Sequence, residues 1–575
     1  MVALTEKLQR RLTMQTIEIA SNTTTIRSLD WDRDRFDIEF GLQNGTTYNS
    51  FLIQGEKIAL VDTSHEKFRQ LYLDTLTGII DPTKLDYLIV SHTEPDHSGL
   101  VKDILELAPN ITIVGSKVAI QFLENWLHQP FERQIVKGGD TLDLGNDHIL
   151  EFLIAPNLHW PDTIFTYDRK TQVLYTCDAF GMHYCDDHTF DEDLDLIEED
   201  FKYYYDCLMG PNARSVLTAM KRMSTLPGIT TIATGHGPLL YHNVTELTGR
   251  YREWSEAQAK AETTVAVFYL SDYGFSDRIS QAIAHGINKT GVAVEMMDLR
   301  TAEPQEVREL VSIASGIIIG TPSITGEIAN IVQPLIGTIL GATNPKQSFG
   351  VFESGAEDSE SAYLLVNKFR DLGLHPAFAP ILIKETPTDI TYHLCEEAGT
   401  ELGAWLTRDR SIKQIKAIDS ELEKALGRLS NGLYILTTRQ GNISSAMFAS
   451  WVAQASFKPL GITVAVAKDR AIESLLHVGD RFVLNVLAEG NYHKLMKHFL
   501  KRFPLGADRF ADLKTYPATN GSPILADALA YLECEVQSRM DCEDHWTIYS
   551  TVSVGRVSQP DALTAVHHRK VGNHY

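Results

Sequence analysis

The chain has 575 residues, 43% hydrophobic and 22% charged, with a formal net charge of −23. That length exceeds what one core can serve and implies about three or four domains of ordinary globular composition. The negative balance excludes a nucleic-acid-binding face, which needs clustered Lys and Arg, and disfavours docking of a strongly acidic protein.

Residues 1–35 carry no strong pattern and read as an N-terminal extension. From 36 to 262, short β-rich runs such as "YNSFLI" and "KIALVD" alternate with amphipathic stretches such as "HEKFRQLYLDTL", which suits an α/β sandwich. Its last part, from about His242 to Lys260, reads as a connecting helix. Between 263 and 407 apolar strands ("TTVAVFYL", "GIIIGT", "SFGVFES") alternate with helical stretches, the pattern of a doubly wound parallel sheet. A charged linker is expected at 408–425, and from 426 to 575 the short runs "LYILTT", "ITVAVA", "FVLNVL" and "TIYSTVSVG" predict a small β-barrel.

No apolar run approaches the roughly 20 residues of a membrane helix. "MVALTEKLQRRLTMQ" has charges where a secretory signal has its apolar stretch. The six cysteines form no Cys-x-x-Cys pair and are too few for a disulfide framework, so a reducing cytoplasm is expected.

In "YLIVSHTEPDHSGL" an apolar run leads into His92, Glu94, Asp96 and His97. A lone His-x-Glu is usually noise, but partners recur at the ends of later strand-like runs: His159 in "APNLHWPDT", Asp178 in "VLYTCDAFG" and His236 in "ITTIATGHGP". Seven candidate ligands are too many for one cation and suit about two, with a shared carboxylate. Three carboxylates and four imidazoles without thiolate favour iron over zinc. His65, His183 and His188 read as supporting or surface residues, and Asp62 as a hydrogen-bonding support of the metal loops.

"SHTEPDHSG", "LHWPD", "CDAFG" and "GHGP" resemble the metallo-β-lactamase-like core of the flavodiiron proteins. Hydrolases of that fold carry His-x-His-x-Asp-His, whereas this chain reads His92-x-Glu94-x-Asp96-His97, the family's mark of iron. The resemblance implies that His92, Glu94 and His159 hold one iron, that Asp96, His97 and His236 hold the other, and that Asp178 bridges them. The intact set speaks against a non-catalytic scaffold subunit.

"FYLSDYGFSD", "GTPSITGEIANIV" and "VFESGAEDSESAY" place three polar loops after parallel strands, the flavodoxin arrangement for FMN. By resemblance to the family's flavodoxin-like domain, Ser271, Tyr273, Gly274, Phe275 and Ser276 would hold the phosphate. Pro322, Ser323, Ile324, Thr325 and Gly326 would flank the ring, with Ser354 and Gly355 from the third loop. That loop departs from the usual pattern through Glu353, Glu357 and Asp358, whose charge would oppose reduction to an anionic hydroquinone.

The stretch from "NGLYILTTRQGNISSAMFASW" through "SFKP" resembles the NAD(P)H:flavin oxidoreductase family, with a split barrel that binds FMN or FAD. Ser444, Ser450, Trp451 and Ser456 are its candidate flavin contacts, and "HHRKVGNHY" resembles that family's C-terminus.

The whole chain is therefore similar to cyanobacterial flavodiiron proteins with a fused flavin reductase. The implied architecture is multidomain: a metallo-β-lactamase-like αββα sandwich, a flavodoxin-like doubly wound domain and a flavin-reductase split β-barrel. The implied activity passes electrons from NAD(P)H through two flavins to a di-iron site that reduces dioxygen to water. A head-to-tail dimer, homo- or heterodimeric, is expected, and reduced ferredoxin stays open as an alternative donor. The competing readings are a nitric oxide reductase and a zinc hydrolase fused to redox modules.

Overall fold

The computed structural model describes residues 12–568 apart from 34, 37–39, 271–274, 323–326, 356–359, 415–420, 442, 491, 502 and 504–506. The chain divides into two compact units, one built on the part up to Glu262 with Phe268–Asp277 and Val294–Glu303, the other comprising Thr263–Val267, Arg278–Ala293 and Pro304–Tyr575.

The first unit is a sandwich of two sheets between helices. A seven-stranded sheet runs in the order Leu12–Ala20, Thr23–Asp30, Thr46–Gln54, Ile58–Val61, Tyr87–Ile89, Thr112–Gly115 and Glu132–Ile135. It is antiparallel up to Ile58–Val61 and parallel beyond. A five-stranded sheet joins Thr141–Asp143, Ile149–Ile154, Ile164–Asp168, Val173–Cys177 and Thr231–Thr234 in that order.

Strand alternation explains the layers. Phe51, Ile53 and Ile89 point into the core shared with Phe152, Ile164 and Tyr175 of the second sheet. Leu52, Leu88 and Val90 point the other way, onto Tyr72 and Leu76 of the helix Arg69–Ile79 and Ile120 and Leu123 of the helix Lys117–Leu127. Both faces are apolar because both are covered. The helices Leu194–Tyr204, Ala213–Met223 and Val244–Ala259 close the other side through Phe201, Val216 and Tyr251.

The segment expected to be an N-terminal extension is instead, from Leu12 to Asp30, a hairpin of the first sheet. Thr23–Asp30 is almost wholly buried although it contains Thr25, Arg27, Ser28 and Asp30. Its polar residues concealed it, although Ile26, Leu12 and Met14 pack onto the helix-side core and the backbone pairs with Thr46–Gln54.

The next segment forms a sheet in the order Ala293–Asp298, Thr264–Tyr269, Gly316–Pro322, Ser348–Ser354 and His375–Pro376, with Ile381–Ile383 also paired to Ser348–Ser354. In chain order this is 2-1-3-4-5, the flavodoxin arrangement. Its last helix, Asp389–Gln414, runs past the expected boundary at 407 and packs on the 3-10 turn Ala471–Leu475 of the following domain. The charged run expected as a linker is helical up to Gln414 and again at Glu421–Leu426.

The last domain is a seven-stranded antiparallel sheet, ordered Ile443–Ala449, Tyr434–Gln440, Arg481–Val486, Ala530–Cys542, His545–Val557, Leu460–Ala467 and Val452–Phe457. It curls around Leu436, Val464, Phe482, Leu484, Val536 and Ile548. Irregularities between Glu533 and Cys534 and between Val536 and Ser538 bend the long hairpin. Among the described residues no helix is long and apolar enough to cross a membrane.

Candidate metal centre and flavin loops

Each of the seven expected side chains stands where a strand ends. His92 follows Tyr87–Ile89, and Pro95 opens the single helical turn Pro95–Ser98 that presents Asp96 and His97. His159 follows Ile149–Ile154, Asp178 follows Val173–Cys177 directly, and His236 follows Thr231–Thr234. The first sheet thus supplies four of the groups and the second sheet three.

Backbone geometry around them is special. Asp62, Asn157, Cys177 and Phe180 all have left-handed φ, between 52° and 66°, which costs a non-glycine residue about 1–3 kcal/mol and clusters at functional sites. A Cβ at Gly235 would lie 2.7 Å from His97 Cε1, so only glycine lets that ring take its place.

The structure gathers the seven side chains, all buried, into two groups. Glu94 Oε2 lies 3.1 Å from His92 Nε2 and 3.0 Å from His159 Nε2. Asp96 Oδ2 lies 3.3 Å from His236 Nε2, and its Oδ1 3.6 Å from His97 Nε2. Asp178 touches both groups. Its Oδ2 lies 3.4 Å from His92 Nε2 and 3.2 Å from His159 Nε2, while its Oδ1 lies 2.9 Å from His97 Nε2 and 3.3 Å from His236 Nε2.

Burial alone would push all these groups toward neutrality, but their mutual charges overcome it. Burial lowers His159, yet Glu94 and Asp178 raise it to about 10. Burial lowers His236, yet hydrogen bonds and charge from Asp178 and Asp96 raise it to about 10. Glu94, penalised by burial and by Asp96, is drawn down to about 2 by His159 and His92. Asp178 is held well below the usual carboxylate range against burial, by His97, His159 and His236. A cluster of acceptor atoms this close calls for positive charge at its centre. Either protons or cations supply it, and a set of four imidazoles and three carboxylates fits two divalent or trivalent cations.

Other residues support this arrangement. Asp162, within "LHWPD" but outside the seven expected ligands, puts Oδ1 3.0 Å from His92 Nδ1. His236 Nδ1 lies 2.7 Å from the Thr47 carbonyl. Asp62 accepts from the Ser91 backbone N–H at 2.8 Å, next to His92, and burial pushes its carboxyl up to about 6. His183, buried, bonds Thr46 Oγ1 through Nδ1 at 2.8 Å, with its ring centroid 4.7 Å from that of His236. His65 accepts from the Lys67 N–H at a 3-10 turn, and exposed His188 bonds Asp186. Cys177 also joins His97 and Asp178, a thiol neighbour that residue type alone did not reveal. Burial and the charges of Asp62 and Asp178 push that thiol far up, so it stays protonated.

Of the expected FMN contacts, Phe275 and Ser276 open the helix Phe275–Asn288, Phe275 exposed and Ser276 buried. Ser271, Tyr273 and Gly274, and also Ser323, Ile324, Thr325 and Gly326, lie outside the described residues. Pro322 ends its strand, with its side chain likewise outside the description. Ser354 ends Ser348–Ser354, and Gly355 follows with φ +77°. The loops leave the carboxyl ends of three neighbouring parallel strands, where such sheets bind ligands. Ser280 Oγ, one turn into the helix, is buried without a hydrogen-bond partner among the described residues. Glu353 uses Oε2 to accept from Ala362 N–H in the first turn of the helix Glu360–Asp371, and burial raises its carboxyl. Glu357 and Asp358 lie outside the described residues.

In the barrel, Ser450 is buried and its Oγ has no hydrogen-bond partner among the described residues, and Trp451 tilts against His545 at 5.0 Å. Ser444 stands at the other end of the strand from Ser450, about 20 Å away by strand rise. Ser456 spends its hydroxyl on the Pro459 carbonyl at 2.7 Å and on Tyr549 Oη at 2.9 Å. The structure therefore does not draw these four into one spot. Of the C-terminal "HHRKVGNHY", residues from Arg569 on lie outside the described residues.

Comparison with known proteins extends this geometry. Residues 46–237 match the family described as ODP family beta lactamase, and residues 426–573 the flavin reductase like domain. A protein described as putative diflavin flavoprotein A 3, from Nostoc sp., is 70% identical over 100% of both chains. The chain belongs to the diflavin flavoproteins, the cyanobacterial flavodiiron family. Diflavin flavoprotein A 1 of Synechocystis sp. is 65% identical over 99% of each chain. A solved structure described as the metal-soaked Flv1 flavodiiron core from Synechocystis sp. is 39% identical, with a TM-score of 0.64 over 69% of this chain and 99% of that one. As a diflavin flavoprotein the chain is an oxidoreductase, and its three folds are the αββα sandwich, the flavodoxin-like sheet and the split barrel.

Proposed function

We propose that this chain carries electrons from NAD(P)H to a flavin in the barrel, to FMN in the flavodoxin-like segment and finally to a di-iron centre, reducing dioxygen to water. The observation that carries this reading is Asp178, whose two oxygens each face one of two His–carboxylate groups. His92, Glu94 and His159 would hold one iron, Asp96, His97 and His236 the other, with Asp178 between them. When bound, two irons supply the valence changes needed to pass electrons to a small oxidant. The chain contributes anionic charge, fixed imidazole tautomers and a buried, water-poor setting. Ser276, Ser354 and Gly355 would line the FMN crevice, with Ser450 and Trp451 the best-placed flavin contacts in the barrel.

This reading keeps the protein in the reducing cytoplasm, consistent with six cysteines that form no disulfide among the described residues, five of them buried. A head-to-tail dimer would bring one subunit's flavin to the other's irons. The test is metal and flavin analysis, anaerobic reduction with NADH and NADPH separately, then oxygen uptake with product assay. About two irons and two flavins per chain with water as product are expected. Stoichiometric zinc with hydrolase activity would refute the reading, and turnover of nitric oxide but not dioxygen would redirect it.

A further inference from the structure

Asp162 has a place in this site that the seven-residue set does not use. It follows His159 and Trp160 in "LHWPDT" and is wholly buried. Its two oxygens have separate partners. Oδ2 accepts from Thr93 N–H at 2.8 Å and from Thr93 Oγ1 at 2.5 Å, tying down the turn between His92 and Glu94. Oδ1 lies 3.0 Å from His92 Nδ1. An ionised carboxylate only accepts, so Nδ1 keeps a proton, and Nε2, 3.1 Å from Glu94 Oε2, is the nitrogen left to meet a cation. The Trp160 ring, edge-on to His92 at 5.0 Å, restricts the imidazole's tilt. Packing alone leaves open which nitrogen is protonated, and Asp162 decides it.

Among the described residues the other group shows no carboxylate in the same position behind its rings. His236 Nδ1 meets the neutral Thr47 carbonyl, and His97 Nδ1 makes no hydrogen bond among the described residues. Asp62, the other buried carboxylate nearby, spends Oδ1 on a backbone N–H next to His92 rather than on a ring. A carboxylate behind a ligating imidazole raises its basicity and fixes its orientation, and loss of such a partner costs about 10–100-fold in metal affinity.

We propose that Asp162 is a positioning residue that makes the two metal positions unequal, so that His92, Glu94 and His159 hold their cation more tightly than Asp96, His97 and His236 hold theirs. This rests on the ligand assignment given above.

The test titrates the metal-free full-length chain with Co²⁺ alone, followed by its visible absorption. The native chain should bind two ions with unequal affinities. Asp162→Asn should weaken the tighter by about 10–100-fold and leave the weaker within about threefold. Thr93→Val removes one bond to Oδ2 and keeps the carboxylate, so the inequality should persist. In the Co²⁺ form of the native chain, a paramagnetically shifted, slowly exchanging ring N–H assigned to His92 Nδ1 is expected, a reading that needs no variant. Equal loosening of both ions, no loosening, equal effects of Thr93→Val and Asp162→Asn, or absence of that N–H signal each overturn the proposal. A native chain that binds no pair of ions overturns the di-iron assignment itself. Two ions in the native chain with an unaltered Asn variant overturn only the role of Asp162.

Discussion

Asp178 must lose a function when its charge and second acceptor are removed. Asp178→Asn keeps the shape, but its amide nitrogen has no lone pair for a metal, so one of the two groups loses its shared donor. Iron content should fall from about two toward one per chain. Neither flavin site is touched, so reduction by NAD(P)H should continue, with flavin passing electrons to dioxygen to give peroxide. Peroxide formed per NAD(P)H consumed measures this, and a variant with two irons still making water would contradict it. Glu295, buried in the strand Ala293–Asp298, allows a different test. Burial pushes its carboxyl from 4.5 up to about 8, and Arg214 offsets this only in part. The folded chain therefore prefers Glu295 protonated. The stability this gives is complete below the unfolded value of 4.5 and is lost as pH rises toward 8. Over that window Glu295→Gln should gain on the native chain by up to about 1.4 kcal/mol per pH unit. Thermal melts of both proteins across the range would show it, and parallel curves would contradict it.

Among the elements, the helices Phe275–Asn288 and Asp389–Gln414 cross with backbones in near contact. A Cβ at Gly286 would lie 2.0 Å from the Glu396 carbonyl oxygen, and one at Gly399 would lie 2.1 Å from that of Ile283. In an exposed helix interior Ala is favoured over Gly by about 0.5–1 kcal/mol. At Gly399 the clash with main chain should reverse this sign, and Gly399→Ala should cost about 1–3 kcal/mol. Gly249, exposed in the helix Val244–Ala259 with nothing within 4 Å of an added Cβ, is the control, where alanine should stabilise. Denaturant melts of the two variants should move in opposite directions. The helix Asp389–Gln414 carries Glu396 to Lys289, which also meets Glu473 of the barrel domain, each at 2.5 Å. Its charged C-terminal run resembled a linker because local sequence cannot show which charges find partners.

At the scale of the whole molecule, the flavin-reductase domain is the expected point at which NAD(P)H delivers its electrons. The helix bounds move the useful truncation point to just after Gln414 rather than into the helix at 407. The shortened chain should keep its metals and one flavin, because the relative solved as a flavodiiron core aligns over 69% of this chain and 99% of its own length. It should lose NAD(P)H oxidation and regain oxygen uptake when an external flavin reductase is supplied. It should also melt earlier than the full chain, since Lys289 loses Glu473 and is left with Glu396. Undiminished NAD(P)H oxidation would show that electrons arrive elsewhere.

The sequence by itself determined what depends on neighbouring residues. His92, Glu94, Asp96 and His97 fall within six positions after an apolar strand, so their convergence is legible from spacing. The alternation of apolar strands with helices likewise determined the doubly wound sheet. Tertiary structure decided whatever depends on a distant partner. Asp162 meets His92 across 70 residues, and the Thr47 carbonyl meets His236 across 189. No local pattern distinguishes such an aspartate from one that caps a turn. The hairpin Leu12–Asp30 was illegible for the same reason: its Thr, Ser and Arg side chains look solvent-facing until distant groups supply their hydrogen bonds, the Ser50 carbonyl for Thr25, Ser64 for Ser28 and the His188 carbonyl for Arg27. Residue type and periodicity choose the elements, while the choice of which atom faces which belongs to long-range packing, where one carboxylate can serve either a turn or an imidazole.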